Sequence, residues 1–283
     1  MKLFTKFKDK KQNTNRRSGG GGCNFSCRHP KLWSYIKSNV KAFFITGAIT
    51  FVVSVSATTI LHSRQVRYKN DKSVETTINE LYQKAYECEL KKLGCINCTR
   101  VNYLESTGTQ QYIDTEIIPN QTIKTVIDFE TKNDVATDRV ILGLNENGNR
   151  LYSMGWENGK VYFGYNGWYW AGYTVSTNTR YKVESQFTNG LQKHFVNNQL
   201  ITETNNTVTS LWSYSIYLFA NHNRTTASNN GALIKLYSCQ IYNNDILVRD
   251  YIPVLDANGR SCLFDKVSKE CFYNQGTGEF LYG

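Results

Sequence analysis

Six Asn-Gly pairs, beginning at Asn147, Asn158, Asn166, Asn189, Asn230 and Asn258, punctuate the second half of the chain. Both residues tolerate positive φ, which a type I′ hairpin turn requires at its two central positions. Asn158-Gly159 and Asn189-Gly190 each separate two runs that alternate apolar and polar residues. In RYKVESQF (180–187), Tyr181, Val183, Ser185 and Phe187 fall on one face. In KTVIDFET (124–131), Ile127 and Phe129 share a face, and Asp128 and Glu130 take the other. Period-two alternation at hairpin spacing predicts roughly a dozen short antiparallel strands and no long helix between residues 100 and 283. The fold class is therefore all-β, an antiparallel two-sheet sandwich. Its 184 residues suffice for one domain with an ample core.

Charge separates the rest of the chain from this domain. The formal net charge is +10, and residues 1–41 account for all of it, with eleven Lys/Arg against Asp9. Residues 42–283 hold 22 basic and 22 acidic residues. A neutral sandwich lacks the electrostatic footprint of a nucleic-acid-binding domain, so nucleic acid is not an expected partner.

Residues 42–61, AFFITGAITFVVSVSATTIL, carry no charge. Twenty helical residues cover roughly 30 Å, the hydrocarbon thickness of a bilayer. The stretch predicts a transmembrane helix over 42–63, and the basic block before it places the N-terminus in the cytoplasm and the sandwich outside. A cleaved signal peptide ending near Ala57, which would leave a secreted protein, is the alternative. Residues 1–41 form a basic tail whose composition predicts disorder. Beyond the span, residues 64–99 form a stalk. Its helix, 73–93, is marked by Ser73 as N-cap, Lys91 and Lys92 in the last turn, and Gly94 after it. Val74, Ile78, Leu81, Ala85 and Cys88 repeat at 4-3-4-3 spacing, the stripe of a short coiled coil, which fits either self-association through 73–93 or packing on the domain that follows.

Three segments resemble a known family: GTQQYIDTEIIPN (108–120), SIYLFANHN (215–223) and IKLYSCQIYNNDILVRDYIPVLDANGRSCLFDKVSKECFYNQGTGEF (234–280). They look like the concanavalin A-like lectin/glucanase jelly roll, and more narrowly like the laminin-G-like modules of bacterial surface and phage proteins. The most specific part is the ending, "VRDYIP" followed by "LFDKV…FYN…G". The layout of the first 100 residues is similar to surface or pilin-like proteins of Gram-positive bacteria. The resemblance implies two face-to-face antiparallel sheets. Members of the family bind carbohydrate or protein, and some are hydrolases.

Hydrolases of that superfamily carry Glu-x-Asp-x-Glu on one strand, so that alternate carboxylates point together into a cleft. Here Asp128-Phe129-Glu130 is the nearest match, and Val126 and Lys132 stand where the third carboxylate would be. A solvated strand face accounts for the pair better. His194 and His222 sit among polar residues, and no nucleophile elbow or zinc-protease motif occurs. No catalytic residue and no cofactor are assigned. Some laminin-G-like modules hold calcium, for which Asp114, Asp245 and Asp256 are loose candidates, but no ligand spacing supports them and turn-forming roles are the plainer reading.

A positive binding signal lies in WENGKVYFGYNGWYWAGY (156–173), which holds three of the five tryptophans. Flat apolar rings with polar edges suit stacking on sugars or protein contact, and many such rings simply fill a core. Alternation puts Trp168 and Trp170 on one face and Tyr169 on the other. Trp168, Tyr169 and Trp170 are the candidate ligand-binding residues, with Trp212 in SLWSYS as the runner-up.

Six cysteines follow the apolar stretch. Cys262 and Cys271 bracket the closing hairpin, where a cross-strand disulfide is expected. Cys88, Cys95 and Cys98 crowd the helix end, where one pair could bond and leave the third for an intermolecular bond; buried free thiols at all six positions are the alternative. Cys239 lies mid-strand as a buried thiol. Together these features describe a membrane-anchored surface module that recognises a glycan or a surface protein without catalysis. A glycoside hydrolase and a structural component of a cell-envelope or pilus-like assembly are the alternatives.

Overall fold

A computed structural model describes residues 57–188, 190–205 and 212–283. One helix, α1 (Ala57–Lys92), precedes nineteen strands among these residues. The first eight strands are β1 (Thr99–Arg100), β2 (Leu104–Glu105), β3 (Ile113–Asp114), β4 (Ile123–Thr131), β5 (Arg139–Asn145), β6 (Leu151–Glu157), β7 (Lys160–Tyr165) and β8 (Trp168–Thr174). Next come β9 (Arg180–Thr188), β10 (Leu191–Val196), β11 (Gln199–Asn205), β12 (Tyr217–Leu218), β13 (Asn221–Asn223) and β14 (Thr226–Ala227). The chain closes with β15 (Ile234–Asn243), β16 (Ile246–Leu255), β17 (Ser261–Asp265), β18 (Glu270–Phe272) and β19 (Leu281–Tyr282).

Two sheets form, as the alternation predicts. The eleven-stranded sheet runs β11-β10-β9-β4-β15-β16-β17-β18, with β1, β2 and β19 at its margins. The eight-stranded sheet runs β14-β13-β5-β6-β7-β8, with β12 paired to β5 and β3 paired to β12. Pairing is antiparallel except where β13 runs parallel to β5. Strand β4 alternates buried and half-buried along its whole length, because one of its faces meets the core and the other meets solvent. The core contains Ile127, Phe129, Val183, Phe187, Leu236 and Tyr251 from one sheet and Leu142, Met154, Trp156, Phe163 and Tyr165 from the other. Aromatic stacking ties the layers: Phe129 on Trp156 at 6.4 Å between centroids, Tyr165 on Phe187 at 3.9 Å.

The turns follow backbone chemistry. Asn158 and Gly159 both have positive φ and join β6 to β7. Asn197-Asn198 and Asn244-Asp245 adopt the same conformation between β10 and β11 and between β15 and β16. Asn and Asp tolerate the left-handed region without glycine, which is why these two hairpins escape an Asn-Gly search.

The segments most like the family in sequence interlock the two ends of the domain. The Tyr112 amide donates to Asn274 Oδ1 at 3.1 Å, Gln275 N–H to Tyr112 O at 2.9 Å and Thr277 N–H to Gln110 O at 3.2 Å. A Cβ at Gly276 would lie 1.8 Å from the Gln110 carbonyl oxygen, so only glycine fits there.

Several expectations change. From the first described residue, Ala57, helix α1 already runs upstream of the expected Ser73 N-cap, through the last residues of the expected 42–63 span and on through the stalk. It ends one residue from the expected boundary. Residues 42–56 lie outside the described residues, as does the basic tail. Among the described residues no helix is both long and apolar enough to cross a membrane. Trp212 does not border a groove. It is 4% exposed, and its indole packs 5.0 Å from Tyr165 in the core. His194, read from the sequence as sitting among polar residues, is buried on β10, stacked 3.7 Å from Phe163, with Nδ1 3.0 Å from Ser185 Oγ. Burial pushes its pKa down to about 3.

The expected Cys262–Cys271 disulfide is absent, and both thiols are free. The register sets Phe264 opposite Cys271, leaving Cys262 two residues further along on the diagonal. Diagonal Cα atoms sit roughly 7–8 Å apart, beyond disulfide reach. Cys95 and Cys98 are bonded to each other, with Cα atoms 5.6 Å apart. Cys239 is a buried free thiol, as expected.

Candidate functional site

The outer face of the eight-stranded sheet carries an open groove of about 470 Å³. Its construction follows from register. Directly opposed residues share a face, and one row of opposed residues crosses the sheet as Asn221, Gly143, Ser153, Gly164 and Trp168. The neighbouring row reads Gly155, Tyr162 and Trp170. Three glycines and a serine thus occupy positions where side chains would otherwise fill the surface. At Gly143 a Cβ would lie 2.3 Å from Asn221 Oδ1, and at Gly155 it would lie 2.6 Å from Tyr162 Oη. The glycines let the Asn221 amide and the Tyr162 ring lie down on the sheet.

The walls are aromatic on one side and polar on the other. Trp168 meets Tyr162 edge-to-face at 5.0 Å and 87°. Trp170 is 54% exposed, an unusual state for an indole. Tyr169 takes the opposite face of β8, opposed to Phe163. Asn145, Asn223, Ser228, Asn229 and Asn230 complete the lining with Asp138, Glu157 and Asn221.

The polar groups are held in place. Asn221 Oδ1 accepts from Ser153 Oγ at 2.8 Å, and its backbone N–H donates to Ser228 Oγ at 3.0 Å. Asp138 receives Asn230 Nδ2 at 2.7 Å and the Tyr162 hydroxyl at 3.3 Å. Burial and then the Asp138 charge push the Tyr162 hydroxyl well above its usual range, so it stays a neutral donor. The arrangement offers amide donors and acceptors, a hydroxyl, two carboxylates and an exposed indole face.

The Asp128 and Glu130 pair lies elsewhere, on the outer face of the eleven-stranded sheet, and both groups are engaged. Arg180 grips Asp128 through two hydrogen bonds of 2.8 Å. Lys235 Nζ and the Tyr237 hydroxyl bond Glu130 at 2.8 and 3.1 Å, and the Lys235 bond above all lowers its pKa. Arg180 also lies 3.7 Å from the Tyr237 ring centroid. This is a charge ladder closed on itself, not an open cleft.

The calcium candidates lie apart, Asp114 at the end of β3 and the other two in turns. Asp114 Oδ1 accepts the Glu116 amide at 2.8 Å, Asp245 sits in the β15–β16 turn, and Asp256 Oδ1 accepts the Asn258 and Arg260 amides, each at 2.9 Å.

Asn145, Asn221, Asn223 and Asp138 were not singled out in sequence, because they are common polar residues on strands and loops far apart in the chain. The clue available was SIYLFANHN, where two asparagines flank a histidine straight after an apolar run.

No protein-family model and no curated protein matches the chain in sequence. Solved structures similar to it include a Bacteroides ovatus protein described as carbohydrate binding, at 10% identity and TM-score 0.48, covering 65% of this chain and 60% of that one. Domains LG4-5 of the mouse laminin alpha1 chain cover 52% of this chain and 44% of their own, at 9% identity and TM-score 0.39. The Ruminococcus gnavus IT-sialidase CBM40 bound to alpha2,3 sialyllactose covers 53% and 91%, at 16% identity and TM-score 0.38. The chain thus spans 60% of the length of the Bacteroides protein.

Proposed function

We propose that the groove on the eight-stranded sheet binds a neutral carbohydrate without catalysis. The observation that carries this reading is the exposed Trp170 indole beside Trp168, facing a bank of oriented asparagine amides. Sugar rings present apolar C–H faces to an aromatic ring and hydroxyls to amides that both donate and accept. The lining holds Asp138 and Glu157 and no Lys or Arg among the described residues, which disfavours an anionic glycan. Asp138 is occupied by Tyr162 and Asn230, and that supports binding over hydrolysis.

The test uses the full chain in detergent micelles on an array of neutral and sialylated glycans. Saturable binding to neutral glycans, lost in Trp170→Ala and retained in Tyr282→Ala, is expected. Equal binding by Trp170→Ala sinks the site, and release of reducing ends from a bound glycan sinks the non-catalytic reading.

The groove is displayed on a single-pass membrane protein in this reading. Residues 42–63 form the anchor, the N-terminus stays in the cytoplasm, and the sandwich faces outward. The confinement of the +10 charge to residues 1–41 supports that orientation. Protease added to intact cells should remove the sandwich and spare the tail. Val74 and Leu81, both exposed, support self-association through 73–93, which sedimentation of the full chain in micelles would detect as a dimer or larger species.

A further inference from the structure

Four cysteines from three places in the chain converge beside the end of α1. Cys95 and Cys98 lie in the turn that follows the helix, Cys262 on β17 and Cys271 on β18. The sulfur atoms of Cys95, Cys98 and Cys271 all lie within 4.8 Å of one another. Cys262 belongs to the same buried cluster, and Cys271 packs against it. Leu90, Ile252, Val254 and Phe264 enclose the group, and Cys95, Cys98 and Cys262 are buried.

We propose that the reduced chain binds one Zn²⁺ at Cys95, Cys98, Cys262 and Cys271. A Cys-x₂-Cys pair with two further cysteines is the ligand complement of a closed structural zinc site, in which four thiolates surround the ion at about 2.3 Å. Tetrahedral ligands at that distance stand under 4 Å apart, within the spread the three sulfurs already show. A soft thiolate set favours zinc over calcium or magnesium. The Cys95–Cys98 disulfide encloses two residues, so it constrains the unfolded chain least of all possible pairings. A metal drawing on all four would join the helix end to the closing hairpin.

The two states interconvert in balanced steps. A dithiol reductant takes up the disulfide bond, becoming a disulfide itself and leaving two cysteine thiols. Zinc entry then releases the protons of the four thiols to solvent. Reducing compartments favour the metal state and oxidising ones the disulfide.

The experiment loads full-length chain, reduced with a dithiol and freed of excess reductant, with Zn²⁺ and separately with Co²⁺. One zinc per chain retained through dialysis is expected, with the visible d–d bands and sulfur-to-cobalt charge transfer of a tetrahedral tetrathiolate. Cys271→Ser and Cys262→Ser should each abolish that spectrum, and Cys239→Ser should preserve it. Failure of the reduced, folded wild-type chain to retain zinc overturns the proposal. So does a cobalt spectrum indifferent to Cys271→Ser.

Discussion

Asp265 Oδ1 accepts the backbone N–H of Asp250 at 2.7 Å, from a side chain with no exposure to solvent. The same carboxylate takes the Val267 and Ser268 amides at 3.1 Å, and Arg249 Nε stands 3.7 Å from it. The "RD" of VRDYIP and the "FD" of LFDKV are thus one polar knot tying β16 to the β17–β18 turn. Replacing Asp265 with Ala orphans the turn amides and removes the buried carboxylate beside Arg249, which keeps the Thr115 carbonyl at 3.1 Å. The variant should lose about 3–5 kcal/mol of unfolding free energy. Urea denaturation of both proteins checks this, and a loss below about 1 kcal/mol would mean the knot is redundant.

The tryptophans should divide by role. Trp212→Ala empties a core position and should cost about 3–5 kcal/mol. Trp170→Ala removes a half-exposed ring and should leave thermal unfolding nearly unchanged while reducing glycan affinity at least tenfold. Thermal melts alongside array titrations separate the two, and a destabilised Trp170→Ala would show that its ring is structural.

Gly155→Ala tests the floor of the groove. The added methyl would sit 2.0 Å from the Arg139 carbonyl and 2.6 Å from the Tyr162 hydroxyl. It should displace Tyr162, loosen the edge-to-face contact with Trp168 and cost about 1–3 kcal/mol. Binding should fall with it. A fully stable, fully binding Gly155→Ala would argue that the Tyr162 position is unimportant.

His194 makes stability depend on pH. Its folded pKa is depressed to about 3, against about 6.5 in the unfolded chain. Above pH 6.5 neither state is protonated. Between 6.5 and 3 the unfolded chain takes up the proton and the folded one does not, so stability falls as pH falls. Near pH 4.5 the loss from this residue should be roughly 2–3 kcal/mol. Chemical denaturation between pH 7 and 4.5 should show a shallower slope in His194→Gln, and identical slopes would refute the assignment.

Sequence legibility followed the range of the interaction. Strands β4 and β9 were readable because their period-two pattern is local. The β6–β7 turn was readable because Asn158-Gly159 carries its own backbone preference. Trp212 was misread because SLWSYS is polar around it, and burial is decided by Tyr152 and Tyr165 from a distant part of the chain. The facing of Trp168 and Trp170 was legible from alternation alone. Their polar counterparts were not, since the Asn221–Gly143–Ser153–Gly164–Trp168 row exists only once four strand pairings are made. The missing Cys262–Cys271 bond turned on register, which sequence spacing does not reveal.

The interlock of residues 110–112 with 274–277 also sets an order of events. Its bonds join positions about 160 residues apart, and contacts of such separation form late because the loop must close first. A chain emerging N-terminus first from a ribosome holds residues 110–112 without this partner until the "NQGTGEF" segment arrives. The sandwich is therefore latched only after residues 274–277 have been made.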